Sequence, residues 1–390
     1  MQLASVAFDK AVSDDTSGNV KLQRGDYLNA GLLPIIDQGQ EEVAGYCNDL
    51  AAAYRGTLPV VLFGDHTRAF KFADKPFVLG ADGVKVLAPK IGFSAKFLYY
   101  YFLSCDLPSR GYARHFKFLR ELSVPVFSSL EQARVVELLD EADRMRRLRR
   151  EADVKAARIL PVLFLKMFGD PATNPMGWPT DRLDVLFDVA GGGTPSKADL
   201  AFWRGDILWV SPKDMKTDVI TDTEDHITTE AITNSATKLV DRGSVLIVYR
   251  SGILAHTFPV AIAGRPMTLN QDLKALTSNG EVNNEFIYGW LTAGQKLALS
   301  CVKKGATVHN IDGPRFRSLQ VPKPPKRLQD RFARHLENLL TSKNERAQTA
   351  RRVEDLFAVF LKQAFSGQLT AKWREAHMKE LLAEMQQQAR

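Results

Sequence analysis

The chain has 390 residues, 45% hydrophobic and 25% charged, the make-up of a globular protein with room for two or more cores. A net charge of +7 and a pI of about 9.2 favour an acidic partner, nucleic acid foremost. Cys47, Cys105 and Cys301 lie far apart without CxxC spacing, which suggests neither a zinc site nor a disulfide framework and predicts a reducing cytoplasmic setting. The acid-bearing N-terminus does not read as a secretory leader, and no apolar run approaches the roughly 18 residues of a membrane helix.

In chain order, residues 1–121 read as a first globule. Short β-branched and aromatic runs (32–36, 58–63, 84–87) alternate with Gly, Pro and Asp turns, and AKFLYYYFLS at 95–104 reads as a buried helix. Residues 122–177 form a central helical segment. Val124-Pro125 leads in, Ser129 is the expected N-cap and Gln132 its capping-box partner. Leu138, Ala142, Met145, Ala152, Ala156, Ile159 and Leu163 recur at 4-3 spacing, the pattern of a helix packing along one partner helix. Pro161 predicts a break near Leu160. Up to that point the helix would be roughly 48 Å long.

Residues 178–318 read as a second globule, with strands at 207–210, 244–249 and 260–263 and a helix at 285–299. Residues 319–390 begin with the stiff VPKPPK and continue as a second long helix. Leu336, Leu340, Ala347, Ala350, Val353, Phe357, Phe360 and Ala364 lie on one stripe, and Ser366-Gly367 ends it. A short amphipathic helix of unassigned role follows.

The chain also repeats itself. Residues 120–168 read again at 317–365 without a gap: Leu122, Val124 and Pro125 return as Leu319, Val321 and Pro322. Gln132, Arg134 and Leu139 return as Gln329, Arg331 and Leu336, and Arg149, Val162 and Phe168 as Arg346, Val359 and Phe365. Each copy follows a globule of similar length. The expected fold is α/β (α+β): two strand-rich mixed domains joined by a long antiparallel two-helix coiled-coil spacer, with the chain ends close together. The competing reading of the long helices is ordinary packing in a helical bundle.

Sequence reading by a protein needs base-edge donors and acceptors on a rigid scaffold, flanked by phosphate-binding cations. The first globule offers Arg68, Lys71, Arg110, Arg114, His115 and Lys117. The second offers Thr194, Ser196, Lys213, Lys216, Arg250, Lys303, Lys304, His309 and Asn310. Each alone also reads as a solvated surface group, so it is their clustering near loops that points to DNA. Asp65 and Asp214 could accept from cytosine N4, but both fit turn caps better. Trp203 and Trp209 read as core.

Catalytic signatures are missing. The one Pro-Pro, at 324–325, sits in KPPK and not in the Asn/Asp-Pro-Pro-aromatic setting of an adenine methyltransferase. GGGTPSK lacks phosphate-loop spacing, and Pro195 removes a backbone donor, so it reads as a turn. The histidines share no helix face, and no nucleophile elbow occurs. No catalytic residue, cofactor or metal is therefore expected.

The order of the second globule resembles that of the specificity (S) subunit of type I restriction–modification systems. It carries GGGTPSK (191–197), FWRGDILWVSPKDMK (202–216), RGSVLIVYRSGI (242–253), PVAIAGRPMTLNQDLKAL (259–276) and GATVHNIDGPRFRSLQVP (305–322). LPIIDQGQEEVAGY (33–46), FGDHTRAFKFADKPFVLGADGVKVL (63–87) and YARHFKFL (112–119) resemble another variant of the same domain. The resemblance implies a non-catalytic subunit in which each globule reads one half of a split site in double-stranded DNA. It implies paired helices that separate the halves and dock two methyltransferase subunits, which carry S-adenosylmethionine and modify adenine. Motor-nuclease subunits would complete a restriction complex. Unlike globules imply an asymmetric bipartite target. An autonomous DNA-binding regulator and a protein-only scaffold are the alternatives.

Overall fold

The structure, a computed structural model, describes residues 3–388 except 82, 109–113 and 306. Contacts divide the chain into two compact units: Met1–Arg150 with Thr349–Arg390, and Glu151–Gln348. Each unit takes half of each long helix.

In the first unit, Ser5–Ala7 pairs antiparallel with Ser123–Pro125. A four-stranded sheet runs in the order Val12–Asp14, Val84–Pro89, Val60–Gly64, Phe70–Ala73, and a three-stranded sheet in the order Gly45–Cys47, Leu33–Ile36, Val78–Leu79. Val60–Gly64 is buried at every position, which is why it reads as an unbroken apolar run without alternation.

The second unit repeats this plan. Thr180–Arg182 pairs with Gln320–Pro322. One sheet runs Phe187–Gly191, Leu273–Ser278, Val245–Val248, Val260–Ala263, and the other Asp225–Ile227, Ile207–Val210, Met267–Leu269. Each sheet adds a short edge strand, Val219–Ile220 and Leu239–Val240 respectively. Globules whose sequences differ therefore share strand order, and the second carries additions.

Each globule holds one buried helix against its larger sheet, Ala95–Ser104 in the first and Asn284–Ala293 in the second. The second element expected at 285–299 is two helices, interrupted at Gly294 before Gln295–Leu299.

The central helix runs Ser129–Ala157, turns at Arg158 and resumes as Ile159–Phe168. Pro161 causes the break. It has no N–H to bond the Ala157 carbonyl, and its ring crowds that same group. The C-terminal helix, Lys326–Phe365, spans 40 residues. Beyond it Gly367 adopts φ +78°, a left-handed turn that ends the helix as expected.

Within each unit the helix halves run antiparallel. In the first, Arg146 meets Glu354 at 2.6 Å, and Glu131, nearer the start of the central helix, meets Arg374 just past the end of the C-terminal helix at 2.6 Å. In the second, Asp153 faces Arg346 at 3.7 Å, and Phe168 packs on Phe332.

Several helix details differ from the sequence reading. The N-cap is Ser128, whose Oγ accepts from Glu131 N–H at 3.1 Å. The packed seam is Val135, Leu139, Ala142, Arg146, Arg149, Asp153, Ala156, Leu160 and Phe164, while Met145, Ala152 and Ile159 are exposed. Apolar spacing misses this seam because its middle is charged: the Arg146 guanidinium lies 3.9 Å from the Phe357 ring centroid, so its stem and plane act as packing material. On the C-terminal helix Leu361 is buried and Phe360 is turned outward.

The tail has a place. Ala371–Ala376 and Met378–Gln388 fold back onto the start of the central helix. Thr370 Oγ1 and Arg374 bond the buried Glu131 carboxylate, and Glu384 accepts the Ser129 and Leu130 N–H groups. These are orphan helix-start donors, which favour a negative partner. Leu3 packs in the same cluster as Leu369, so the start of the chain meets the end of the C-terminal long helix within this unit.

Candidate nucleic-acid interface

In the second unit a three-stranded ribbon gathers four of the sequence candidates. Arg250–Ser251 pairs with His309–Ile311, which pairs with Val302–Lys303. The register sets Arg250 opposite Asn310 and Lys303 opposite Asn310, so the three side chains form one cross-strand row. All three are exposed, as is the adjoining Lys304. Arg250 has no side-chain hydrogen bond or ion pair among the described residues. Lys303 pairs with Asp312 at 3.1 Å and is 70% exposed, so the pair is cheap to exchange for another anion. The Lys303 hydrogen bond also holds the Asp312 carboxyl below its ordinary pKa. His309 Nδ1 accepts from Gly305 N–H at 3.3 Å, which folds the loop between these strands.

The first unit puts its candidates at the corresponding place. Ile311 N–H bonds the Tyr249 carbonyl just past the strand Val245–Val248. Likewise His115 N–H bonds the Asp65 carbonyl just past Val60–Gly64. Arg114 thus stands where Asn310 stands, and both are exposed. Lys117 is also exposed, lying 4.8 Å from the Phe118 ring centroid. Arg68 is half-buried, with its guanidinium donating to the Leu107 carbonyl at 2.9 Å. Arg110 lies outside the described residues.

The other candidates do not join these clusters. Lys71 is buried, donating to the Asp37 carbonyl at 2.8 Å, and burial pushes its ammonium pKa down. His115 is 1% exposed with Nδ1 against the Asp65 carbonyl, so its ring cannot reach a base edge. Lys213 is held by Asp225 and Glu224 at 2.9 and 3.0 Å, which raise its pKa. Lys216 is exposed beside a cleft that includes Asp218, Arg242 and the C-terminal helix. Thr194 bonds Gln271, and the Ser196 carbonyl accepts from Trp203 Nε1.

GGGTPSK is a packed turn. A Cβ on Gly192 would stand 2.0 Å from the Asn270 carbonyl oxygen, and one on Gly193 2.5 Å from Thr237 N. Trp209 anchors that turn through the Gly193 carbonyl and is buried, and it meets the half-buried Trp203 edge-on. Asp65 and Asp214 are caps: Asp65 accepts from Phe116 N–H and Asp214 from Ser211.

Sequence reading missed Lys274, Arg315 and Arg317. Lys274 stands 5.4 Å over the Tyr249 ring, next to Arg250 in sequence. A lysine near the start of the strand Leu273–Ser278, among Leu273, Ala275 and Leu276, was the available signal. Arg315 and Arg317 sit on the helix Gly313–Arg317, directly after the ribbon, and both are exposed. Among the described residues no cluster of His, Cys, Asp or Glu could hold a metal ion, and no helix is long and apolar enough to cross a membrane.

The family model described as the type I restriction modification DNA specificity domain matches residues 175–353, which takes in the ribbon and the C-terminal helix segment of the second unit. The specificity subunit of the EcoR124I/EcoR124II type I restriction enzyme of Escherichia coli is 28% identical over 339 residues, 82% of each chain. The chain carries a type I restriction–modification DNA specificity domain. A second family relative, the MjaIX specificity subunit of Methanocaldococcus jannaschii, is 28% identical over 163 residues, 41% of this chain and 37% of its own. The type I fold extends over almost the whole chain. A chain from a solved type I R-M system covers 94% of it at TM-score 0.56 and 16% identity, with 98% of that chain matched. The S subunit from M. genitalium covers 94% at TM-score 0.52 and 14% identity, with 96% of its own length matched.

Proposed function

We propose that this chain reads a bipartite, asymmetric sequence in double-stranded DNA and carries two methyltransferase subunits to it. It is a recognition subunit and not itself a catalyst. The observation that carries the reading is the Arg250–Asn310–Lys303 row, together with Arg114 at the matching place in the other unit. Arginine favours guanine O6/N7 and asparagine favours adenine N6/N7, with neighbouring lysines on phosphate. Different side chains at equivalent places give different half-sites.

The docking half of the proposal rests on the repeat. Ile159 and Val162 in the second unit are 46% and 60% exposed. Their repeat partners in the first unit, Leu356 and Val359, are 55% and 46% exposed. The same outward apolar pair occurs once per unit, which suits two copies of one partner. A motor-nuclease subunit would join the same assembly.

The test is selection from a randomised duplex library by the chain assembled with its methyltransferase subunit. Two unlike half-sites separated by an unread gap are expected. A single contiguous site, or equal binding by the chain alone, would favour an autonomous regulator. Absence of any selection would favour a protein scaffold.

A further inference from the structure

The repeat pairs buried positions of one unit with those of the other, and at one place the volumes do not match. In the first unit Phe357, 6% exposed, lies beneath the Arg146 guanidinium and meets Tyr100 edge-on at 6.3 Å. By the repeat, Phe357 and Arg146 correspond to Leu160 and Lys343 in the second unit, and Gly289 stands as far past the N-cap Asn283 as Tyr100 stands past Ser94. Val353 and Glu354 correspond to Ala156 and Ala157. The second unit thus has less side chain at every one of these positions.

Part of the loss is refilled. Phe332 and Phe164 replace Val135 and Leu361, and their rings lie 2.5 and 2.8 Å from where a Cβ on Gly289 would stand. The part around Leu160 is not refilled. A cavity of about 230 Å³ remains there, lined by Ala156, Ala157, Leu160, Pro161, Tyr288 and Leu340 among others. An apolar cavity of roughly 150 Å³ is enough to hold a benzene-sized ring.

The polar groups around it are already engaged. Lys343 pairs with Asp218, Arg346 lies 3.7 Å from Asp153, and Thr292 donates to the Tyr288 carbonyl at 2.7 Å. The rim charges balance in pairs, so a charged guest would gain nothing and would lose its hydration. The sister position shows what shape fits: one aromatic ring beside a cationic side chain.

We propose that this cavity is a binding site for a small, neutral, single-ring or fused-ring aromatic molecule, seated where Phe357 sits in the other unit. It is lined by residues on both sides of the Arg158 break, so a bound ring would bridge the two helical pieces.

Indole is a suitable probe for the full chain, read by calorimetry and thermal unfolding. Saturable binding of one indole per chain with a rise in Tm is expected, and Leu160→Phe should remove it while raising the Tm of the unliganded chain. Phe357→Leu should open a counterpart site and bring the stoichiometry to two. If Leu160→Phe fails to fold, Ala157→Leu narrows the same cavity and should likewise abolish binding. No saturable binding by the wild type, or binding undiminished in the cavity-filling variant, overturns the proposal.

Discussion

Gln132 and Gln329 make the same three hydrogen bonds in the two units. Gln132 Oε1 accepts from Ser94 N–H at 2.9 Å, and its Nε2 donates to the Gly92 and Phe127 carbonyls at 2.7 and 3.0 Å. Gln329 Oε1 accepts from Asn283 N–H at 2.8 Å, and its Nε2 donates to the Glu281 and Pro324 carbonyls at 3.4 and 2.8 Å. Ser94 and Asn283 are the N-caps of the two globule helices. One buried amide therefore fastens each globule to its long helix.

Gln132→Ala and Gln329→Ala each orphan one buried donor and two carbonyls. About 1–3 kcal/mol per unsatisfied group bounds the cost, and water entering the gap would reduce it. Urea unfolding should show losses of about 2–4 kcal/mol for each substitution. The two losses should be close to additive, because the sites share no partner.

Gly289 admits no side chain without moving Phe332 or Phe164. Gly289→Ala should destabilise by about 1–3 kcal/mol through overpacking. Adding Phe332→Leu should recover part of that, since the first unit has the smaller Val135 at this place and Tyr100 where the glycine stands. A double-mutant cycle in urea measures the coupling.

Acid should loosen the helix pairing of the first unit. Burial alone would raise the Glu354 carboxyl, but hydrogen bonds from Arg146 and Arg150 bring it below its ordinary value of 4.5. Burial likewise opposes, and the Ser129 and Leu130 N–H groups overcome, a lowered value at Glu384. A carboxyl depressed on folding adds stability that is complete above the unfolded pKa and is lost as pH falls through the folded one. Unfolding midpoints of wild type should thus fall between about pH 6 and about pH 3, and Glu354→Gln with Glu384→Gln should flatten that fall.

Phosphate contacts and base contacts separate by their salt behaviour. Lys304→Ala should weaken DNA binding by the assembled complex similarly for all sequences and lower the log–log salt slope by about one. Arg250→Ala should cost about 1–3 kcal/mol on the preferred site and relax selection at one base position. Fluorescence anisotropy on cognate and scrambled duplexes over a salt series distinguishes the two. An unchanged slope removes Lys304 from the phosphate contacts.

The duplicated apolar face gives a stoichiometric prediction. Ile159→Asp should remove one methyltransferase copy, Leu356→Asp the other, and the double variant both. Native mass spectrometry reads the steps directly, and loss of both copies from one substitution would contradict two equivalent docking places.

Much of this protein follows from local sequence alone. The helix Ala95–Ser104 is continuous apolar sequence following a serine cap, and the break after Ala157 is dictated by Pro161. The repeat at constant offset announces duplicated architecture, because residues that must meet equivalent neighbours twice are kept twice. The Asp214 cap on Ser211 is also local chemistry, whereas Asp65 caps Phe116 and the GGGTPSK glycines pack on Asn270 and Thr237, contacts that only the fold supplies.

Tertiary structure alone decided which surfaces are available and which positions are paired. The sequence cannot show that Lys71 and His115 are buried, that Arg250 comes into register with the distant Asn310 and Lys303, or that Gln132 spans to the cap of another helix. The seam expected for the central helix shares Ala142 and Ala156 with the packed one but is elsewhere displaced by one residue, since Arg146 packs there as an aromatic partner while Met145 looks outward. Local sequence fixes backbone preference and periodicity. Long-range pairing decides burial and register, and two globules with few shared residues reach one strand order because sheet packing constrains the order and spacing of strands more tightly than the identity of their side chains.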